Sequence, residues 1–232
     1  MDFFSLEKDF ALVSDSQKAI FLLRFFKTGK GQYGEGDVFL GITVPESWKI
    51  AKKYKALGFL ELQKLLNSKF HEYRLVALMI LVLQFARADE AKREKIVKFY
   101  LKNSKRVNNW DLVDLSAHKI LGEYLLGKDW GILVRLAHSG NIWERRIAMV
   151  SSFAFIQKKE LKVPVQIAEI LINDKHDLIQ KAVGWMLREV GKKDQNVEER
   201  FLKKHYKTMP RTALRYAIER FDSQKRLFYM KG

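Results

Sequence analysis

The stretch "FHEYRLVALMI" at residues 70–80 returns, position for position, as "IWERRIAMVSS" at 142–152. Glu72 falls on Glu144, Arg74 on Arg146, and one apolar run on the other, at an offset of 72. That offset is twice 36, and Trp110 stands halfway. Further on, "LIQKAVGWML" (178–187) sets Lys181 under Arg146 at an offset of 35, and "TALRYAIERF" (212–221) adds Arg215 at 34. Upstream, "SQKAIFLLRFF" (16–26) echoes "IQKAVGWMLRE" (179–189). A helical unit of about 35 residues recurring along a chain indicates stacked helix pairs of HEAT-like length. No single pair covers its own apolar face, so stacking must bury it and leave a long surface. The recurring basic residue is expected to line up along that surface.

The rest of the chain agrees with an all-α fold. Apolar residues recur at three- and four-residue steps, and strand-like alternation is scarce. Pro45, Pro164 and Pro210 are the only prolines. The exception is "KTGKGQYGEGDVFLGITVPESW" (27–48), with Gly29, Gly31, Gly34, Gly36 and Gly41, which predicts a long inter-helix loop over 27–44. It contains G-x-G-x-x-G, but a helix precedes it and none opens on it, so the dinucleotide fingerprint is rejected. Thr43 and Glu46 have capping-box spacing, with Pro45 in the first turn of the next helix. That helix, "ESWKIAKKYKAL", is expected to be basic on its exposed side. Length allows one large domain or two small ones, and the continuous repeat favours a single domain over 1–232.

Composition narrows the chemistry. Lys and Arg number 43 against 27 acids, for a net charge of +16, which points to a polyanionic partner, most simply nucleic acid. There is no cysteine, so disulfides and thiolate metal sites are excluded, and no H-x-x-x-H pair occurs among the five histidines. The absence of cysteine suits a reducing cytoplasm. "LVALMILVLQFA" (75–86), flanked by Arg74 and Arg87, is shorter than the ~20 residues of a membrane span and suits a buried helix. The start of the chain lacks a signal-peptide layout.

Three segments hold the candidate site. "NNWDLVDLSAHKILGEYLL" (108–126) reads as one helix in which Asp114 follows Trp110 by a turn, on a side continued by Ala117 and Leu121. A carboxylate there needs a partner or a task, since burying it alone costs several kcal/mol. In "NIWERRIAMV" (141–150), Asn141 is a helix cap, and Arg146 shares a side with Val150 and Phe153 while Arg145 points away. A packed guanidinium suits a bidentate phosphate contact or an internal salt bridge to an acid such as Asp114. In "LIQKAVGWMLREVGKK" (178–193), Lys181, Trp185, Arg188 and Lys192 fall within about 60° of one another, opposite Ile179, Val183, Met186 and Val190. Trp185 is thus displayed among cations for stacking on a nucleic acid, or wedged between repeats with the cations snorkelling past it.

Taken in this order and spacing, "NNWDLVD", "NIWERR" and "IQKAVGWMLRE" resemble the bacterial DNA alkylation repair protein family, the HEAT-like-repeat DNA glycosylases; "YGEGDVFLGITVP" (33–45) is similar to the N-terminal part of many members. The resemblance implies a right-handed superhelical, C-shaped stack of helical repeats with a basic concave groove around duplex DNA. It implies hydrolysis of the N-glycosidic bond of cationic N3- and N7-alkylated purines, with no metal or other cofactor. The lesion stays exposed rather than swung into a deep base pocket. By motif position, Asp114 is the catalytic carboxylate, Trp110 and Trp185 its aromatic partners, and Arg146 and Arg188 the backbone clamps, with Lys181 and Lys192 beside them. A cytoplasmic, nucleoid-associated monomer is expected, without membrane attachment. The loop at 27–44 is longer than in typical members, and His118 departs from the usual context of Asp114. A catalytically silent module that binds bent or branched DNA, or a protein–protein scaffold, remains the competing reading.

Overall fold

The structure is a computed structural model that describes residues 3–231, so the outermost residues of the 1–232 span expected as one domain lie outside it. The chain divides into two compact units, 1–116 and 117–232, at the end of one helix. The first unit holds α1 (Phe3–Val13), α2 (Ser16–Phe25), α3 (Val44–Lys53), α4 (Phe59–Leu66), α5 (His71–Ala86), α6 (Glu90–Lys102) and α7 (Trp110–Ala117). The second opens with a π-helical turn (His118–Gly122) and continues through α8 (Glu123–Leu125), α9 (Gly131–Ala137), α10 (Ile142–Ser151), α11 (Phe153–Gln157), α12 (Lys162–Leu171), α13 (Asp177–Lys193), α14 (Gln195–His205), α15 (Arg211–Ala217) and α16 (Ser223–Lys231). The described residues contain no strand, only an isolated parallel bridge between Val38 and Phe70.

Local chemistry accounts for where these helices begin. Asp15 accepts from the N–H groups of Gln17 and Lys18, Asp89 from Lys92, and Asn141 from Trp143 and Glu144. Each satisfies donors that the first helical turn leaves unpaired, worth about 1 kcal/mol. Thr43 occupies the cap of α3, with Pro45 in the first turn, but its hydroxyl makes no capping bond. The Thr43–Glu46 spacing is therefore not used as a capping box. Glu46 pairs instead with Lys49. Lys49, Lys52 and Lys53 do form the exposed basic side of α3.

In the first unit α5 is the core helix: Leu75 through Leu81 and Phe85 are all buried. Each such side chain contributes about 1.5–3 kcal/mol of transfer free energy, which suits its nearly unbroken apolar run. No described helix is long and apolar enough to cross a membrane. In the second unit, close backbone approach sets the packing. A β-carbon at Gly184 of α13 would collide with the Ala213 carbonyl of α15, and one at Gly122 with the Ser151 carbonyl of α10. The latter explains why the stretch expected to form one helix from 108 to 126 changes pitch. The Ser151 hydroxyl donates to the carbonyl of Ala117, and the backbone widens into a π turn over the next five residues.

The repeat positions are helical, but their basic residues differ in setting. Arg74 and Arg146 are buried, Lys181 is half-buried and Arg215 is exposed. The expectation that one basic side chain per repeat lines a common surface is therefore corrected. In α5 and α10 the arginine packs inside its unit, because both helices are core helices there.

Candidate functional site

The loop between α2 and α3 is organised by α5. The Glu72 carboxylate accepts from the N–H groups of Leu40, Gly41 and Ile42 at 2.9–3.2 Å. Gly41 has φ of +79°, and a β-carbon there would collide with the Asp15 carbonyl, so only glycine fits. Earlier in the loop the N–H of Gly29 donates to Gln32 and that of Gly31 to Glu35. The glycines thus close the loop on itself and do not cradle a phosphate.

Below this loop lies a buried ionic network. His71 Nδ1 stands 3.2 Å from Asp37 and its Nε2 2.8 Å from Asp111. Arg74 Nη2 donates to Asp37 at 2.5 Å, and Asn109 Nδ2 to the same carboxylate at 3.3 Å. Asn109 Oδ1 in turn accepts from the N–H of Trp110 at 2.8 Å. Burial opposes a charge on His71, but the carboxylate of Asp111, with that of Asp37, outweighs it and raises the imidazole to about 9. Burial likewise opposes ionisation of Asp37, yet His71, Arg74 and Asn109 hold it below the usual carboxylate value. The start of α7 is therefore clamped to α5 by charge. Sequence reasoning missed this cluster, although Glu72 and Arg74 stood in the repeat alignment.

Aromatic rings continue the clamp. Trp110 stacks on Phe26 at 5.3 Å between centroids, Phe26 on Phe39 at 4.9 Å, and Phe39 on His71 at 4.6 Å. Trp110 is half-buried, and so is Asp114 one turn further along α7. Asp114 also leaves an electrostatic trace on the core. The Tyr100 phenol, bonded to Ser116 at 3.0 Å, is pushed up by burial and further by the charge of Asp114.

The remaining candidates lie in the second unit. On α13, Ile179, Val183, Met186 and Val190 are buried, as the helical phase predicts. Lys181, Trp185 and Arg188 are half-buried, and Lys192 is exposed. Trp185 lies 6.3 Å from Phe153, which itself meets His118 edge-on at 5.5 Å. The cations of the stripe are engaged locally: Lys181 with Asp177, Lys192 with Glu189, and Arg188 with Glu219 and Glu189. Arg146 is only 5% exposed and donates to the carbonyl of Leu178 at 2.5 Å. Arg145 points elsewhere, to Asp174 and the Ser139 carbonyl. Trp110 and Asp114 thus share one helix, while Arg146, Trp185 and Arg188 belong to the other compact unit.

Capped helix pairs recurring at HEAT-like length, with a tryptophan and a carboxylate one turn apart, define the class: an all-helical repeat protein. The chain belongs to the DNA alkylation repair enzyme family, whose model matches residues 6–221. No curated protein matches. Among solved structures the fold is similar to a predicted DNA alkylation repair enzyme from Enterococcus faecalis, with TM-score 0.71, 19% identity, and 90% of this chain and 97% of that one covered. It is also similar to AlkD2 from Streptococcus mutans, with TM-score 0.59, 18% identity, and coverage of 89% and 99%.

Proposed function

We propose that the protein is a monofunctional DNA glycosylase. It hydrolyses the N-glycosidic bond of cationic N3- and N7-alkylated purines in duplex DNA, with its two units working as one domain at the nucleoid. The observation that supports this best is the setting of Asp114. It is a half-buried carboxylate, neither sealed in the core nor fully hydrated, one turn from a half-buried tryptophan on a helix clamped by charge.

The chemistry follows from the lesion. An alkylated purine already carries positive charge, so the bond from its nitrogen to C1′ of the deoxyribose breaks readily. The bonding electrons pass to the purine and neutralise it, and positive charge develops on the sugar. The Asp114 carboxylate stabilises that charge and orients the water whose oxygen bonds to C1′, the water proton passing to solvent. Trp110 and Trp185 offer indole faces to the cationic ring before it leaves. Arg188, Lys181 and Lys192 exchange their carboxylate partners for phosphates. Such surface pairs are worth only ~0–1 kcal/mol, so the exchange costs little. Arg146 is the most confined of the four, a guanidinium pre-oriented by its bond to Leu178. The lesion is held at a basic face, without a deep pocket of its own.

The test is base release from methylated duplex DNA, wild type beside Asp114→Asn. The variant is expected to bind DNA nearly as before and to release 7-methylguanine or 3-methyladenine at least about tenfold more slowly, ~1.4 kcal/mol of barrier. Equal rates would remove Asp114 from the reaction. Tight, salt-sensitive binding with no base release by the wild type would leave a DNA-binding module in place of an enzyme.

A further inference from the structure

Within the first unit a cavity of about 410 Å³ opens beside Trp110. Phe21, Phe25, Phe26, Phe39 and Trp110 supply its walls, and Asp111 supplies a carboxylate. That volume falls in the ~300–1,000 Å³ range of small-molecule sites. Phe21 and Phe25 are 65% and 52% exposed and stack at 6.1 Å. No residue of α2 is buried, so its rings are presented to the cavity and solvent instead of being spent on the core. The inner wall is rigid: Phe26 lies between Trp110 and Phe39, and Phe39 rests on His71. Asp111 is fixed as well, accepting from the N–H of Leu112 at 2.9 Å and lying 2.8 Å from His71 Nε2. A carboxylate has about four acceptor sites, so a further N–H can be taken.

We propose that this cavity binds the neutral purine base after it has been cut from the sugar. The inference rests on the glycosylase reading above. Bond cleavage changes the chemistry of the purine: a cationic ring attached to DNA becomes a neutral, planar heteroaromatic whose ring nitrogen keeps the bonding pair and whose amino N–H groups are no longer held in a base pair. A cation belongs beside Asp114. A neutral purine gains more from aromatic contact and a carboxylate acceptor, and the cavity offers Phe21, Phe25 and Trp110 with Asp111. Trp110 borders both places, as part of the cavity wall and one turn from Asp114 on α7. Retention there also separates the base from the abasic sugar. Stacking on aromatic walls stabilises any base, so the site reads planarity and neutrality more than identity.

The test titrates the full-length protein, without DNA, with free 7-methylguanine at mildly acid pH and follows tryptophan fluorescence. Trp110→Phe identifies which of the five tryptophans reports. The cationic nucleoside 7-methylguanosine is titrated in parallel. Saturable quenching by the base is expected, weakened at least about fivefold in Phe21→Ala/Phe25→Ala. Both positions are over half exposed, so the fold should survive, as circular dichroism would verify. Absence of saturable binding up to the solubility limit would overturn the proposal. So would equal binding by the double variant, or equal binding of the cationic nucleoside. Failures are separable, because base binding needs no DNA. Excision without base binding sinks the cavity assignment alone, whereas base binding without excision sinks the glycosylase reading and leaves a purine-binding cavity that serves no excised product.

Discussion

His71 shows how one residue can hold a distant element in place. It is 2% exposed and bridges Asp37 of the loop and Asp111 of α7. Its imidazole is raised from 6.5 to about 9 because the gain from the two carboxylates, Asp111 foremost, exceeds the cost of burial. A raised histidine stabilises the fold fully below about 6.5 and loses that contribution as pH climbs through about 9. Asp37, held low, contributes above its ordinary 3.8 and loses its part as pH falls through its lowered value. The clamp therefore works between these limits. His71→Gln removes the cation and leaves two carboxylates without it, and is expected to cost ~3 kcal/mol or more in urea unfolding at neutral pH, with a smaller difference above pH ~9. An unchanged unfolding midpoint at neutral pH would show that the network does not hold α7. The sequence contains His71, Asp37 and Asp111 without linking them. They are separated by more than thirty residues, and nothing local encodes their meeting.

At the scale of elements, α13 and α14 meet through a buried acid. Glu198 is 2% exposed and packs where a β-carbon on Gly191 would stand. Burial raises its carboxyl to about 8, the charge of Glu199 adds to this, and Arg188 opposes it. The folded chain thus keeps a proton that the unfolded chain releases near 4.5. Stability contributed by this group falls as pH rises from about 4.5 through about 8. Glu198→Gln, neutral at every pH, is expected to flatten that fall and to raise Tm at about pH 8 by a few °C. Calorimetry across pH checks it, and a parallel slope for the two proteins would place the dependence elsewhere. The less buried stripe of α13 was legible in the sequence, because helical phase alone separates half-buried Trp185 from buried Met186. That Arg188 spends its charge on Glu219, and that Arg74 and Arg146 turn inward, was not. Those outcomes depend on which helix packs against which.

Over the whole molecule, charge is the property that reaches furthest. A net +16 spread over a helical surface is the charge that, under the proposed function, meets duplex DNA and displaces its counterions. Under the proposed function, affinity for undamaged duplex is expected to fall by ~10³-fold or more between about 50 and 200 mM salt, as fluorescence anisotropy would record. A nearly flat dependence would argue that few of the 43 basic side chains touch phosphates. Arg188→Ala should reduce the slope more than Arg146→Ala, since Arg146 is buried against the Leu178 carbonyl.

The sequence by itself determined the helical class, the start of α10 at Asn141, the apolar face of α13 and the sign of the net charge. These depend on periodicity, caps and composition, which act within a few residues or sum over all of them. Only the tertiary structure decided that the glycine-rich loop is pinned by Glu72, that α7 is clamped through His71, and that a cavity opens beside Trp110. Each of those needs groups far apart in the chain to share one low-dielectric interior. There the energy of a charge or a ring is set by its spatial neighbours, and its neighbours along the chain have little say.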